Sequence, residues 1–289
     1  MSRLRILIGV LTLTVTLAPA MSRAATAPVT KVLVFIEENH SMSEMKSGMP
    51  YLYSQAVKYG YADHYTATSH PSLPNYLAVV GGSTFGVTDD GSPSQHPEPT
   101  PDVYSAAIAT GRTAKAYAES MPSNCNKITS GSYAARHNPW VYFPTDAAMC
   151  ANNDVPSGTT SSGKLRQAIV NGALPTVGWV TPNVQHDAHD GTLAAADTWL
   201  KNWLTLVYAS ADWRAGRLAV IVTADEDDYS QKNAVLTVVL HPSQAAHLVS
   251  TPLDHYSLTG LLTQVAHAPC LRNGCGAADF AAAFGLPIG

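Results

Sequence analysis

Charge is scarce in this chain: charged residues make up 13% of its 289 positions. Acids outnumber bases, 21 to 17. No basic surface exists to track a nucleic-acid backbone, so nucleic acid is excluded as the main partner. Cysteine is limited to four residues. Beyond residue 24 no apolar run is long enough to span a bilayer. The sequence has no H-E-x-x-H of the zinc peptidases and no G-x-S-x-G nucleophile elbow. It also has no P-loop, no dinucleotide fingerprint, no internal repeat and no low-complexity tract. These absences remove several enzyme classes at once.

What is present suits one large domain, since the length allows a sizeable core and nothing reads as an interdomain linker. Residues 1–24 have the form of a secretory signal. Arg3 and Arg5 open it, Ile6 to Leu17 is a short apolar stretch, and Ser22-Arg23-Ala24 fits a cleavage site. Its removal takes away three cations (Arg3, Arg5, Arg23) and no acid, moving the formal charge from −4 to −7. Residues 25–289 remain as a single domain, secreted or periplasmic, with no membrane span and monomeric by default. Exported chains keep disulfides. Cys270 and Cys275 frame a tight loop, which leaves Cys125 to pair with Cys150. A zinc site would need C-x-x-C spacing, which is absent.

Three apolar runs end in clusters of ligand-type residues. Val32 to Ile36 leads into Glu37-Glu38-Asn39-His40. Val177 to Val180 leads toward Asn183 and His186-Asp187-Ala188-His189-Asp190. Leu218 to Val222 leads into Asp225-Glu226-Asp227-Asp228. Such β-branched runs read as buried strands of a parallel sheet. Ligands bind beyond the carboxyl ends of such strands. Helical patterns over 49–60, 75–80, 102–110, 163–171, 192–210 and 256–267 alternate with strands at 31–37, 113–118, 175–181, 217–224 and 234–240. The alternation predicts an α/β fold, a three-layer α/β/α sandwich with a mostly parallel central sheet. Residues 86–101 and 120–162 read as long polar loops.

The chemistry-bearing residues fall in four groups. Glu38-Asn39 is a hard-oxygen pair suited to a divalent cation; alone it is equally a strand-end turn. Ser72, just ahead of Pro74, sits where a helix begins. A hydroxyl there lies in positive potential, ready to meet an anion, although serine is also a common N-cap. Asp225 and Glu226, nearest the strand end, are the metal candidates, and Asp227 and Asp228 read as loop. His137, His189 and His255 each lie in a short polar segment, which raises the odds of phosphate binding or acid catalysis. His96, His241, His247 and His267 lack such company.

Taken in order, these pieces resemble the bacterial acid phosphatase and phospholipase C phosphoesterases of the alkaline phosphatase-like superfamily. The likeness runs through Glu37-Glu38-Asn39-His40-Ser41, His70-Pro71-Ser72-Leu73-Pro74-Asn75-Tyr76, Arg136-His137-Asn138-Pro139-Trp140, His189-Asp190-Gly191, Asp197-Thr198-Trp199-Leu200, Asp225-Glu226-Asp227-Asp228 and Asp254-His255-Tyr256. It implies a Ser72 nucleophile and a divalent metal (Ca²⁺, Mg²⁺ or Mn²⁺) on Glu38, Asn39, Ser72, Asp225 and Glu226. It implies acid chemistry on His137, His189 or His255, and substrate contacts from His70, Asn75, His137 and His189. Phospholipase C members carry Thr-x-Pro-Asn-Arg where this chain has Ser72-Leu73-Pro74-Asn75-Tyr76, which points to the phosphatase branch. The implied partner is a phosphate monoester, with phosphatidylinositol 3-phosphate among the candidates. A phosphodiesterase and a non-catalytic phosphate-binding protein are the competing readings. His40 departs from the family, where Arg is common.

Overall fold

The structure, a computed structural model, describes residues 27–289. The signal segment of residues 1–24 therefore lies outside the described residues. In chain order the chain forms β1 (Lys31–Glu37), α1 (Met42–Gly48), α2 (Pro50–Lys58), β2 (Gly60–Ala62), β3 (Tyr65–Thr66), α3 (Ser72–Gly81), α4 (Val103–Ala109) and β4 (Ala114–Ala118). Then come α5 (Ala147–Asn153), β5 (Asp154–Pro156), α6 (Lys164–Val170), β6 (Val177–Thr181), α7 (Leu193–Ala209), α8 (Ala211–Arg214) and β7 (Leu218–Ala224). The chain closes with β8 (Thr237–Leu240), β9 (His247–Val249), β10 (Leu253–Asp254), α9 (His255–Val265) and α10 (Phe280–Phe284).

An eight-stranded sheet of order β5-β4-β6-β1-β7-β8-β2-β9 forms the centre. Only β8 runs against the other seven, pairing antiparallel with β7 and β2. β1 and β7 are the middle of this sheet, and every residue of β7 is buried. Both strands are covered on both faces, which explains their unbroken apolar runs. Side chains alternate across a strand. Phe35 meets Trp199 of α7 edge-on. Val34 stands opposite Trp179, which packs against Tyr76 of α3. The helix groups of α7 and α3 therefore cover opposite faces, and the expected three layers are present.

Three regions differ from the sequence reading. The expected 49–60 helix is α2, which Pro50 opens at its first position, and a further short helix, α1, precedes it unannounced. Residues 235 and 236 lie outside any strand and Ala234 makes only an isolated bridge to Thr66, so β8 is shorter than the apolar run around it. The 120–162 segment is not featureless: it holds three 3₁₀ turns, α5 and the edge strand β5. Short local hydrogen bonds build these pieces, and hydrophobic period does not announce them. α3 ends as expected at Gly82, whose φ of 70° is left-handed. A Cβ there would collide with the carbonyl of Leu271.

Cys125–Cys150 and Cys270–Cys275 are both bonded. The first disulfide anchors the long segment to the sheet edge. Asp154 lies beside it, accepting 2.8 Å from the Asn138 amide, with the Cys125 N–H on the Asp154 carbonyl. Asn138 follows His137 directly, so this buried network holds the backbone that carries His137.

Burial pushes the Asp154 carboxyl up to about 7. At low pH it is protonated in folded and unfolded chains alike, and its contribution is fully present. As pH rises the unfolded chain ionises first, so stability falls until the folded carboxyl also ionises. Asp154→Asn cannot ionise. Its melting temperature should decline less steeply between about pH 4 and pH 7.5, by about 3 °C or more. Parallel declines in the two proteins would remove Asp154 as the cause.

Candidate active site

Because β4, β6, β1 and β7 are parallel, their carboxyl ends share one edge of the sheet. Glu37 stands opposite Ala224 in register, so Glu38 and Asp225 leave adjacent strands side by side. Backbone bonds lock this junction. Asp225 N–H donates to the Glu37 carbonyl at 3.0 Å, and Glu38 N–H to the Asp187 carbonyl at 2.8 Å. Asn39, in the left-handed region at φ 56°, turns its N–H onto Asp225 Oδ1 at 3.0 Å.

Ser72 is the first residue of α3 and is buried. Its Oγ donates to Glu38 Oε2 at 2.9 Å and also contacts the Asp225 carboxyl. The Tyr76 hydroxyl, one turn further along α3, donates to the other Glu38 oxygen. Burial raises the Glu38 carboxyl well above the usual range, with Asp225 and then Asp187 adding to it. Burial likewise pushes Asp225 up to about 7 and Glu226 up to about 9, the latter aided by Asp225. Asp225 Oδ2 is buried without a hydrogen-bond partner. Carboxylates crowded this way are short of positive charge, and a hard divalent cation fits their oxygens. The expected ligand set therefore suits a metal chemically. The close-set grouping at this edge is a different one: Glu38, His137 and His189 present ligand atoms within 4.8 Å of one another.

Two of the histidines converge here. His137 Nε2 is 3.2 Å from Glu38 Oε1 and its Nδ1 is 3.1 Å from Asp187 Oδ2. Its ring stacks on Tyr76. Burial pulls its pKa well below the usual imidazole range, so the ring is neutral. His189 is half-buried, with its ring centroid 5.6 Å from that of His137. Arg136 Nη2 donates to its Nε2 at 3.0 Å, and its Nδ1 faces Asp190 Oδ1 at 2.7 Å. His70 lies across the site, 2.9 Å from Glu226 Oε2 and 3.2 Å from Asp227 Oδ1, stacked on the exposed Tyr229.

Two expectations change. His255 does not face the nucleophile. It is fully buried, with Nε2 on the Asp225 carbonyl at 2.6 Å and Nδ1 against the Tyr65 hydroxyl at 3.0 Å. Burial pulls it down to about 4. A neutral ring with both nitrogens engaged props the Asp225 backbone and has no proton to give. Asn75 does not reach for substrate. Its carbonyl accepts from Thr68 and Ser69 N–H, and its amide donates to Ser69, Pro71 and Glu226. It ties the loop before Ser72 to Glu226. Asp227 is loop, as expected, but a buried one beside His70.

Asp187, Tyr76, Arg136 and Asp90 were not singled out by sequence reasoning. Asp187 orients both His137 and the His189 backbone. Asp90 accepts from the N–H of Leu73, the residue after the nucleophile candidate. Asp187 carried a signal, lying between two histidines after a strand. Asp90 carried none, since it sits in a Gly/Ser/Pro-rich excursion.

The fold is that of the alkaline phosphatase superfamily. A member from Vibrio parahaemolyticus superposes with a TM-score of 0.56 over 87% of this chain and 71% of its own, at 11% identity. A lipoteichoic acid synthase from Listeria monocytogenes gives 0.59 over 83% and 73%, at 9% identity. Within that fold the chain belongs to the phosphoesterase family, whose profile matches residues 35–267. It is 32% identical over 260 residues to a phosphatidylinositol-3-phosphatase of Mycobacterium tuberculosis, covering 87% of this chain and 82% of the relative. It is 30% identical over 227 residues to a phosphate-repressible acid phosphatase of Penicillium chrysogenum, covering 74% of this chain and 54% of that longer protein.

Hydrogen bonds to a ligating carboxylate set its orientation and basicity. Tyr76→Phe removes one from Glu38. Calorimetric titration of the metal-stripped protein with Mn²⁺ should show affinity about tenfold weaker than wild type. Equal affinities would detach Tyr76 from the metal site.

Proposed function

We propose that this chain is a secreted phosphatase that hydrolyses phosphate monoesters through a Ser72 phosphoenzyme. One observation carries the reading: the Ser72 hydroxyl, at the start of α3, donates to Glu38 and touches Asp225. A serine already bonded to a carboxylate, at the amino end of a helix, is arranged to lose its proton toward an anion. The kinship to an acid phosphatase and a phosphatidylinositol phosphatase agrees with monoester substrates. The two disulfides suit an oxidising compartment. No helix among the described residues is long and apolar enough to cross a membrane.

Glu38, Asn39, Ser72, Asp225 and Glu226 would hold the divalent cation, which neutralises phosphate charge and lowers the hydroxyl pKa when bound. Ser72 Oγ attacks phosphorus as its proton passes to Glu38. The new bond is Oγ–P, and the bond that breaks joins phosphorus to the alcohol oxygen. His189 has the accessible ring of the two converging histidines; with its Nε2 released from Arg136 and protonated, it supplies the proton to that oxygen. A water then attacks the phosphoserine: the new bond is water O–P and the bond that breaks is Oγ–P, the water's proton passes to His189, Ser72 Oγ takes back the proton held by Glu38, and inorganic phosphate leaves. Phosphoryl transfer needs mainly positioning and charge stabilisation, which a rigid sheet edge supplies.

Ser72→Ala should lower phosphate release from p-nitrophenyl phosphate by about three orders of magnitude or more, with circular dichroism unchanged. Near-normal turnover by a folded variant would end the nucleophile assignment. Release by wild type only from bis-p-nitrophenyl phosphate would make the chain a diesterase.

His189→Ala separates the acid role from simple binding. An alkoxide needs protonation to leave, whereas p-nitrophenolate does not. The variant should lose about a hundredfold in kcat on glycerol 2-phosphate and far less on p-nitrophenyl phosphate. Equal losses on both substrates would assign His189 to binding alone.

A further inference from the structure

A carboxylate of the chain itself sits where an anion would bind beside the nucleophile. Asp90 Oδ1 accepts the Leu73 N–H at 2.9 Å, from 17 residues further along the chain. That N–H is one of the donors that the start of α3 leaves without a helical partner, and it stands next to Ser72. The other Asp90 oxygen faces the Arg136 guanidinium at 3.9 Å, a contact of charge rather than a hydrogen bond. A helix-end amide and an arginine beside a nucleophilic hydroxyl are donors suited to a phosphoryl group. Asp90 and Arg136 also line, with Lys127, a cavity of about 540 Å³, so the pair lies on the open side of the site.

A capping role alone does not account for this placement. A structural cap comes from the residue ahead of the helix, which here is Pro71, with no side-chain bond to offer. Asp90 instead reaches in from the irregular segment 86–101 and keeps 36% of its side chain exposed. Nor does the surrounding field favour it: Glu226 is pushed up to about 9 by burial, then by Asp225, then by Asp90. A carboxylate held against like charges by one amide and a longer contact with Arg136 is one that a better anion can displace. We infer that Asp90 is an internal stand-in for a phosphoryl oxygen: its carboxylate holds the Leu73 amide and faces Arg136 until an incoming phosphate group displaces it and takes both donors. Every anion then binds with its affinity reduced by the fraction of molecules in which Asp90 stands aside. Product phosphate is held loosely for the same reason, which favours its release.

This inference rests on the phosphatase reading, and its test separates the two. The full mature chain, as wild type, Asp90→Ala and Asp90→Asn, is titrated calorimetrically with inorganic phosphate and assayed on p-nitrophenyl phosphate, with circular dichroism to check the fold. Asp90→Ala removes the stand-in. Asp90→Asn keeps its shape and an acceptor for Leu73 but not its charge toward Arg136. Phosphate affinity should rise about tenfold in Asp90→Ala, the worth of one charge-assisted bond, and less in Asp90→Asn. kcat/KM should rise by the same factor as phosphate affinity, because one equilibrium is removed from both. A purely structural anchor has the opposite signature, since its loss weakens both. Unchanged or weaker phosphate binding in the folded variants would overturn the stand-in, while wild-type turnover would leave the phosphatase in place. If Asp90→Ala does not fold, the direction of change in Asp90→Asn decides. No release by wild type would overturn the phosphatase reading, whereas tighter phosphate binding by the variants would still uphold the stand-in.

Discussion

The parallel pairing of β1 with β7, from Lys31↔Leu218 to Glu37↔Ala224, forces two buried carboxylates into contact at the sheet edge. Glu38 and Asp225 cannot move apart without breaking the two central strands of the domain. Two carboxyls held side by side resist ionising together, which adds to the upward shift that burial gives Glu38. Burial adds a desolvation cost to each. Only a large core can hold such a junction, and here the strands that carry it are buried along almost their whole length. The site is a local conflict sustained by the fold, of the kind expected where function sets the residue choice.

The side chains around that junction reduce the conflict without removing it. Tyr76 and Ser72 both donate to Glu38, from two positions on one face of α3. His255 and Tyr65 form a buried chain that ends on the Asp225 carbonyl, so the strand end is held from behind. Asn75 fastens the loop before Ser72 to Glu226. Asp187 holds His137, and the Asn138–Asp154 bond holds the backbone next to it, with a disulfide alongside. Each is a neutral or shared-proton contact. None brings a full positive charge onto the Glu38–Asp225 pair, so a bound cation would complement it.

Much of this was legible in the sequence because it follows from period and strand ends. The runs Val32–Ile36 and Leu218–Val222 announce central strands, and the residues just past them must share an edge if the sheet is parallel. Glu38, Asn39, Asp225 and Glu226 were singled out that way, and they follow adjacent strand ends at one edge of the sheet. His255 was misjudged for a physical reason. A polar residue in a short loop-like motif looks the same in sequence whether it faces a ligand or props a strand from behind. Asn75 failed likewise, since an amide that ties its own loop and one that binds substrate have the same neighbours. Asp90 was invisible because its partner, the N–H of Leu73, is supplied by the fold.

The charge pattern of the whole molecule then acquires a direction. The floor beneath Ser72 is acidic and unneutralised, while the wall beside it bears Arg136 and Lys127. An anionic substrate would be repelled by the floor alone, so capture must begin elsewhere. Arg136 spans the two regions, bonded to His189 on one side and lining the cavity on the other. A ring whose Nε2 accepts from Arg136 would deliver a proton only after that contact opens and the nitrogen itself takes up a proton, so the guanidinium would govern when His189 can act.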